Sequence, residues 1–253
     1  MIKFFRKNRQ KTLTENRFGK YLVYATGEII LVVIGILIAL YINNWNQNRA
    51  DQHLEEGYIS SLIEDAKTDL SNFDNAISAN EERMSNLDTL ALSCYNYDVE
   101  ARKDPELILW YMKSLRRPDF VAQTDRTLSQ LKNSGGMQLI TEKTKVEAII
   151  AYEKSFERLY NQQGWYEGAL RNLVDAGVPI INYKYIPVLH TKVFDIETFF
   201  KTARLLETDE RLLTELGNRA SIYNRLTYSY INYLMEGKAE CKRLIEILEK
   251  VEE

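Results

Sequence analysis

The chain has 253 residues, with only 4 Pro and 11 Gly and no low-complexity run, which argues against a disordered protein. Its net charge is −3, but residues 1–20 hold seven Lys/Arg against one acidic residue, Glu15. Taking +6 for that tail and −1 for Glu28 from the total leaves −8 for residues 43–253, a balance that repels phosphate and excludes nucleic acid as a partner.

The basic tail, residues 1–20, suits the anionic face of a cytoplasmic leaflet. Within it Met1, Ile2, Phe4 and Phe5 alternate with Lys3, Arg6, Lys7 and Arg9, as in a short amphipathic surface helix. Residues 21–42 follow as a transmembrane helix. From Ile29 to Ile42 the chain reads IILVVIGILIALYI without a charge. Read back to Tyr21, the stretch is long enough, at about 33 Å, to cross a hydrocarbon core of about 30 Å. Tyr21 and Tyr24 at one end, and Tyr41 and Trp45 at the other, are amphipathic rings where the water interface would fall. The competing reading is a cleaved signal peptide. Against it, the apolar run exceeds a normal signal core and no small-x-small cleavage site follows. Seven Lys/Arg before the span, against Arg49 alone just after it, orient residues 1–20 to the cytoplasm and 43–253 outside.

Two features of the span carry chemistry. Glu28 is its only ionisable residue, and a carboxylate in hydrocarbon is costly enough to ask for a reason. Glu28, Leu31, Gly35 and Ala39 share one face, and the two small residues permit close approach of another helix. The plainer alternatives stay open: Glu28 reaching back to the headgroups near Arg17 and Lys20, and small residues spaced so by chance.

The stretch ENRFGKYLVYATGEIILVVIGILIALYINNWNQNR, preceded by MIKFFRKNRQK, resembles an uncharacterised family of single-pass membrane proteins from Bacteroidota. LKNSGGMQLI at 131–140 is similar to a glycine turn of that family. The resemblance implies a bacterial inner-membrane anchor with the C-terminal domain in the periplasm. It implies no activity.

Beyond the span the chain reads as helices. The first is expected from Ala50 to Cys94, continuing the span without a break. Its seam is Ile59, Leu62, Ala66, Leu70, Phe73, Ala76, Ile77, Met84, Leu87 and Ala91, interrupted by Asn80. A turn at 95–103 precedes a short helix capped by Asp104, with Pro105 behind it, that Pro118 terminates. Thr124 or Asp125 opens another, stopped at Ser134-Gly135-Gly136. A long helix runs from Thr141 to about Ala176, on a seam of Ile149, Tyr152, Phe156, Leu159, Tyr166, Leu170 and Leu173. Residues 178–192 read as an extended loop with room for a brief strand. Asp195 or Thr198 opens a short helix around Phe199 and Phe200. Thr208-Asp209 opens the last, whose seam of Leu216, Ala220, Tyr223, Thr227, Tyr230, Leu234, Gly237, Cys241, Leu244 and Leu248 steps by four and three throughout. Thr227 and Gly237 are its weak points, and its apolar face is wider than a two-stranded seam.

The expected fold is all-α: one N-terminal transmembrane helix followed by an antiparallel helical bundle, with 43–253 as one domain. No catalytic, cofactor or metal signature appears. His53 and His190 are the only histidines and form no ligand cluster. The sixteen tyrosines read mainly as core, with an aromatic ligand groove as the alternative. Cys94 and Cys241 are a candidate disulfide: both lie at the far end if the three long helices run away, back and away. Two separate buried thiols are the alternative. The function expected is a membrane-anchored interaction module, a scaffold, accessory subunit or sensor-like bundle and not an enzyme. Its partners would be the lipid bilayer and a second copy or another membrane or periplasmic protein. The alternative is a subunit of an ion-coupled membrane complex using Glu28.

Overall fold

A computed structural model describes residues 18–101, 103–116, 119–186 and 194–250. These residues form six α-helices: α1 (Phe18–Tyr95), α2 (Asp104–Ser114), α3 (Arg126–Ser134), α4 (Lys143–Gly177), α5 (Ile196–Thr202) and α6 (Glu210–Leu248). The all-α expectation holds, and the apolar segment at 21–42 does continue unbroken into the first long helix. The tail before Phe18, Pro118, His190 and part of the 178–192 loop lie outside the described residues; the described part of that loop has a 3₁₀ turn, Tyr183–Tyr185, and no strand.

The chain divides into two compact units, Met1–Gly57 and Tyr58–Glu253. In the first unit, an 18-residue window of mean hydropathy 2.5 has none of its surface buried inside the protein.

The second unit is built on α1 from Tyr58 onward, α4 and α6. Phe73 stacks on Phe156 at 5.2 Å, and the Tyr166 hydroxyl lies 2.8 Å from Asn80 Oδ1. Later residues of α1 thus meet later residues of α4, so these two run parallel. α6 runs against both: Cys241 Sγ donates to the Ala66 carbonyl at 2.9 Å, and Tyr95 Oη to Asn218 Oδ1 at 2.9 Å, at opposite ends of α1. The order is away, away and back. The reason lies in residues 96–142, which carry the chain back along the bundle as a crossover holding α2 and α3. Every position of the α6 seam is buried. So is the α4 seam apart from Leu170, which packs at the edge of the core.

Local chemistry explains the helix ends. Gly135 takes φ +74 at the end of α3, the left-handed geometry glycine tolerates best. Gly136 follows in a turn where a Cβ would stand 3.2 Å from the Tyr58 ring. Asp195 caps α5 by accepting from the amides of Glu197 and Thr198, and Asp209 caps α6 through Leu212. Asp104 departs from expectation. It sits inside the first turn of α2 and caps nothing there. Its carboxylate accepts from the Tyr97 hydroxyl and from the Leu205 amide at 3.2 Å, tying the 96–103 turn to the chain after α5.

Candidate functional site

The face of the span holding Glu28, Leu31, Gly35 and Ala39 is helical and exposed at all four positions. Around Gly35 a Cβ would meet nothing within 4 Å, so a neighbouring helix could approach its backbone closely. Glu28 thus stands on a fully presented apolar surface. Of the interface rings, Tyr24, Tyr41 and Trp45 are exposed and Tyr21 is partly covered.

The other concentration of chemistry is inside the bundle. Asp65 and Asp69, one turn apart on α1, are buried, yet they contact the start of α3. Asp65 accepts from the Thr127 amide at 3.0 Å and from Arg126 at 3.0 Å. Asp69 is completely buried and accepts from the Thr124 amide at 3.0 Å, the Thr124 hydroxyl and the Tyr152 hydroxyl. A helix start leaves amide protons without partners and carries partial positive charge. Two carboxylates from another helix supply both needs.

Further along α1, Asn80 (0 % exposed) and Arg83 (2 % exposed) form a second buried group. The Arg83 guanidinium donates to Asn80 Oδ1, and its Nη2 lies 3.4 Å from Asp119. The Asn80 amide donates to the Ala76 carbonyl at 2.7 Å and to the Asp119 carbonyl at 3.4 Å. The Tyr166 hydroxyl sits between Asn80 and Thr227, 2.9 Å from Thr227 Oγ1. One network therefore joins α1, the returning crossover, α4 and α6. Phe120 of the crossover packs edge-on against Tyr166 and Tyr230, at 6.0 and 5.8 Å. Burial pushes the Tyr152, Tyr166, Tyr223 and Tyr230 hydroxyls up from their usual range, so they stay protonated, and those of Tyr152 and Tyr166 donate. A groove of about 460 Å³ opens beside Asp119 and the small side chains of Ala76 and Ala79. The chemistry of these groups is that of hydrogen bonds holding the crossover in place. Tyr223 and Tyr230 are core, Tyr233 is half-buried and Tyr228 is exposed.

The disulfide expectation is corrected. Cys94 and Cys241 are free thiols, both buried. Cys241 packs against Ala66, and Cys94 lies about 40 Å further along α1 at 1.5 Å per residue. The helix order assumed for the bond placed both at one end; the parallel α1–α4 pair puts them at opposite ends. Burial pushes each thiol up to about 12, so neither is a nucleophile near neutral pH. His53 is exposed and 3.4 Å from Glu56. Among the described residues no group of three or more His, Cys, Asp or Glu is placed to hold a metal ion.

Sequence reading missed Asp65, Asp69, Arg83 and Asp119. Asn80 was the available signal: a carboxamide on an apolar seam needs partners, and Arg83 is its neighbour one turn on.

Comparison with curated proteins and with solved structures finds no match to either. A family profile matches residues 28–172. That stretch begins at Glu28 and ends in α4, so it takes in Asp65, Asp69, the Asn80–Arg83 pair and Tyr166, and leaves out α6. The match spans more than half of the chain, which belongs to DUF6090, a family of unknown function.

Proposed function

We propose that this protein is a membrane-anchored helical interaction module, with residues 21–42 crossing the bacterial inner membrane, the tail in the cytoplasm and the bundle in the periplasm. The observation that carries the reading is the apolar window of α1, of which no part is covered by the protein itself. A run so apolar is stable in lipid and unstable in water. The tail's seven cations against Arg49 alone support the orientation. In this reading the span associates with a second copy or another membrane protein through Glu28, Leu31, Gly35 and Ala39. The bundle serves as scaffold, accessory subunit or sensor-like domain. Affinity purification from native membranes, followed by mass spectrometry, tests it. A stable complex with a second copy or a periplasmic protein is expected. Protein recovered free of the membrane and of any partner would overturn it.

The exposure of Glu28 favours one second reading, a subunit of an ion-coupled complex. There the copurifying partner has charged spans of its own. A Glu28→Gln protein then assembles normally but loses its function.

A further inference from the structure

The seven residues after the span, Asn43 to Arg49, read NNWNQNR. Five of them are carboxamides, one is Trp45 and one is Arg49. All seven are helical and exposed. At 100° per residue they point in every direction around the helix axis, and they occupy a slab about 10 Å thick. That thickness is comparable to the polar layer on each side of a bilayer, roughly 5–8 Å. The band is uncharged until Arg49, whose guanidinium lies 5.9 Å from the centre of the Trp45 ring. Gln47 donates to Asp51, one turn further along the helix, at 3.0 Å. Asn is a poor helix former, so four Asn in six helical positions need an external reason.

We propose that residues 43–49 form a collar for the lipid headgroups of the outer leaflet. Carboxamides donate and accept on all sides, matching phosphate and ester oxygens and headgroup ammonium donors together. Trp45 lies at the boundary with the acyl chains, and Arg49 reaches a phosphate. The collar recognises phospholipid by hydrogen bonding around the whole helix, where the basic tail would use net charge. It stops the helix from sliding deeper. The inference rests on the membrane-anchored reading.

The test uses the full-length chain with Trp110→Phe and Trp165→Phe, which leaves Trp45 as the only tryptophan. It is reconstituted in vesicles of mixed phosphatidylethanolamine and phosphatidylcholine carrying spin labels at shallow or deep acyl positions. Shallow labels are expected to quench Trp45 severalfold more than deep ones. Replacing Asn43, Asn44, Asn46, Gln47 and Asn48 together by Leu is expected to move the strongest quenching to the deep label. An unchanged profile would overturn the collar. So would efficient cross-linking between copies through Asn44→Cys, on the side of the helix opposite Glu28 and Gly35, because the amides would then pair helix with helix. Extraction of the parent protein from the vesicles by alkaline carbonate would instead overturn the anchor itself; retention with unchanged depth sinks only the collar.

Discussion

From Leu22 to Ile42 the large apolar side chains lie outside; from Tyr58 onward several polar ones lie inside. The span presents Ile29, Leu31, Ile34 and Leu37 to its surroundings. The bundle buries Asp65, Asp69, Asn80, Arg83 and Thr227 among Leu, Phe and Tyr side chains. Each arrangement would be costly in the other's setting. An apolar surface is stable outside when its surroundings are apolar, and a polar group is stable inside when its hydrogen bonds are made. The contrast locates the open chemistry as well. Asp65, Asp69, Asn80 and Thr227 have hydrogen-bond partners inside the bundle, whereas the carboxylate of Glu28 stands on an exposed face.

Substitutions can break this contrast from either side. The largest effect is expected from Asp69→Ala. It strands the Thr124 amide and hydroxyl and the Tyr152 hydroxyl in a dry site. Loss of about 3 kcal/mol or more of bundle stability is expected, read by chemical denaturation of the full-length protein in detergent. A loss below about 1 kcal/mol would mean that water replaces the carboxylate and that the crossover is weakly held.

Glycine sharpens the comparison, because the same change has opposite surroundings in the two units. At Gly237 a Cβ would come within 2.6 Å of the Phe73 ring, whereas at Gly35 it meets nothing. Gly237→Ala should therefore cost about 1–2 kcal/mol, the overpacking exceeding the gain in helix propensity. Gly35→Ala should leave bundle unfolding unchanged and weaken span association, measured by energy transfer between labelled copies in vesicles. Equal effects on unfolding at both positions would erase the distinction.

Glu28→Gln keeps the shape and removes the charge. An effect of about 1 kcal/mol on span association is expected, with no change in bundle stability. Unchanged association would return Glu28 to the role of an interfacial residue.

The smallest expected effect is at the thiols. Burial raises both from an ordinary value of 9.0 to about 12, so the folded state keeps its protons where the unfolded state loses them. Their contribution to stability is full below pH 9 and is lost as pH rises toward 12. Alkylation of the folded protein should accordingly stay flat from about pH 8 to about pH 10 and jump only on unfolding, to two labels per chain. One fast-reacting thiol in the folded state would contradict the burial of Cys94 or of Cys241.

The sequence was most legible where one rule acts alone. The span is a matter of length and apolarity. The α6 seam is a matter of period, and all ten of its expected positions are buried. Gly135, Asp195 and Asp209 are local signals read over three residues. What stayed hidden depends on pairs far apart in the chain. Asp65 and Asp69 look like a solvated helix face until α3, some 60 residues later, brings its amide protons to them. The parallel run of α1 and α4 follows from the path of the crossover, which helix periodicity does not encode. The three flaws in the seams mark this hidden part. Asn80 is the hub of the buried network, Thr227 its contact on α6, and Gly237 the space for Phe73.

The central claim is that the bundle stands outside the cytoplasm on a single anchor. Glu100 is exposed in the turn after α1, and both native cysteines are buried, so Glu100→Cys gives one accessible thiol. Intact spheroplasts are treated with a membrane-impermeant maleimide before and after lysis. Full labelling before lysis, with no increase after it, is the expected result. Protection in intact cells, with labelling only once the membrane is broken, would contradict the account.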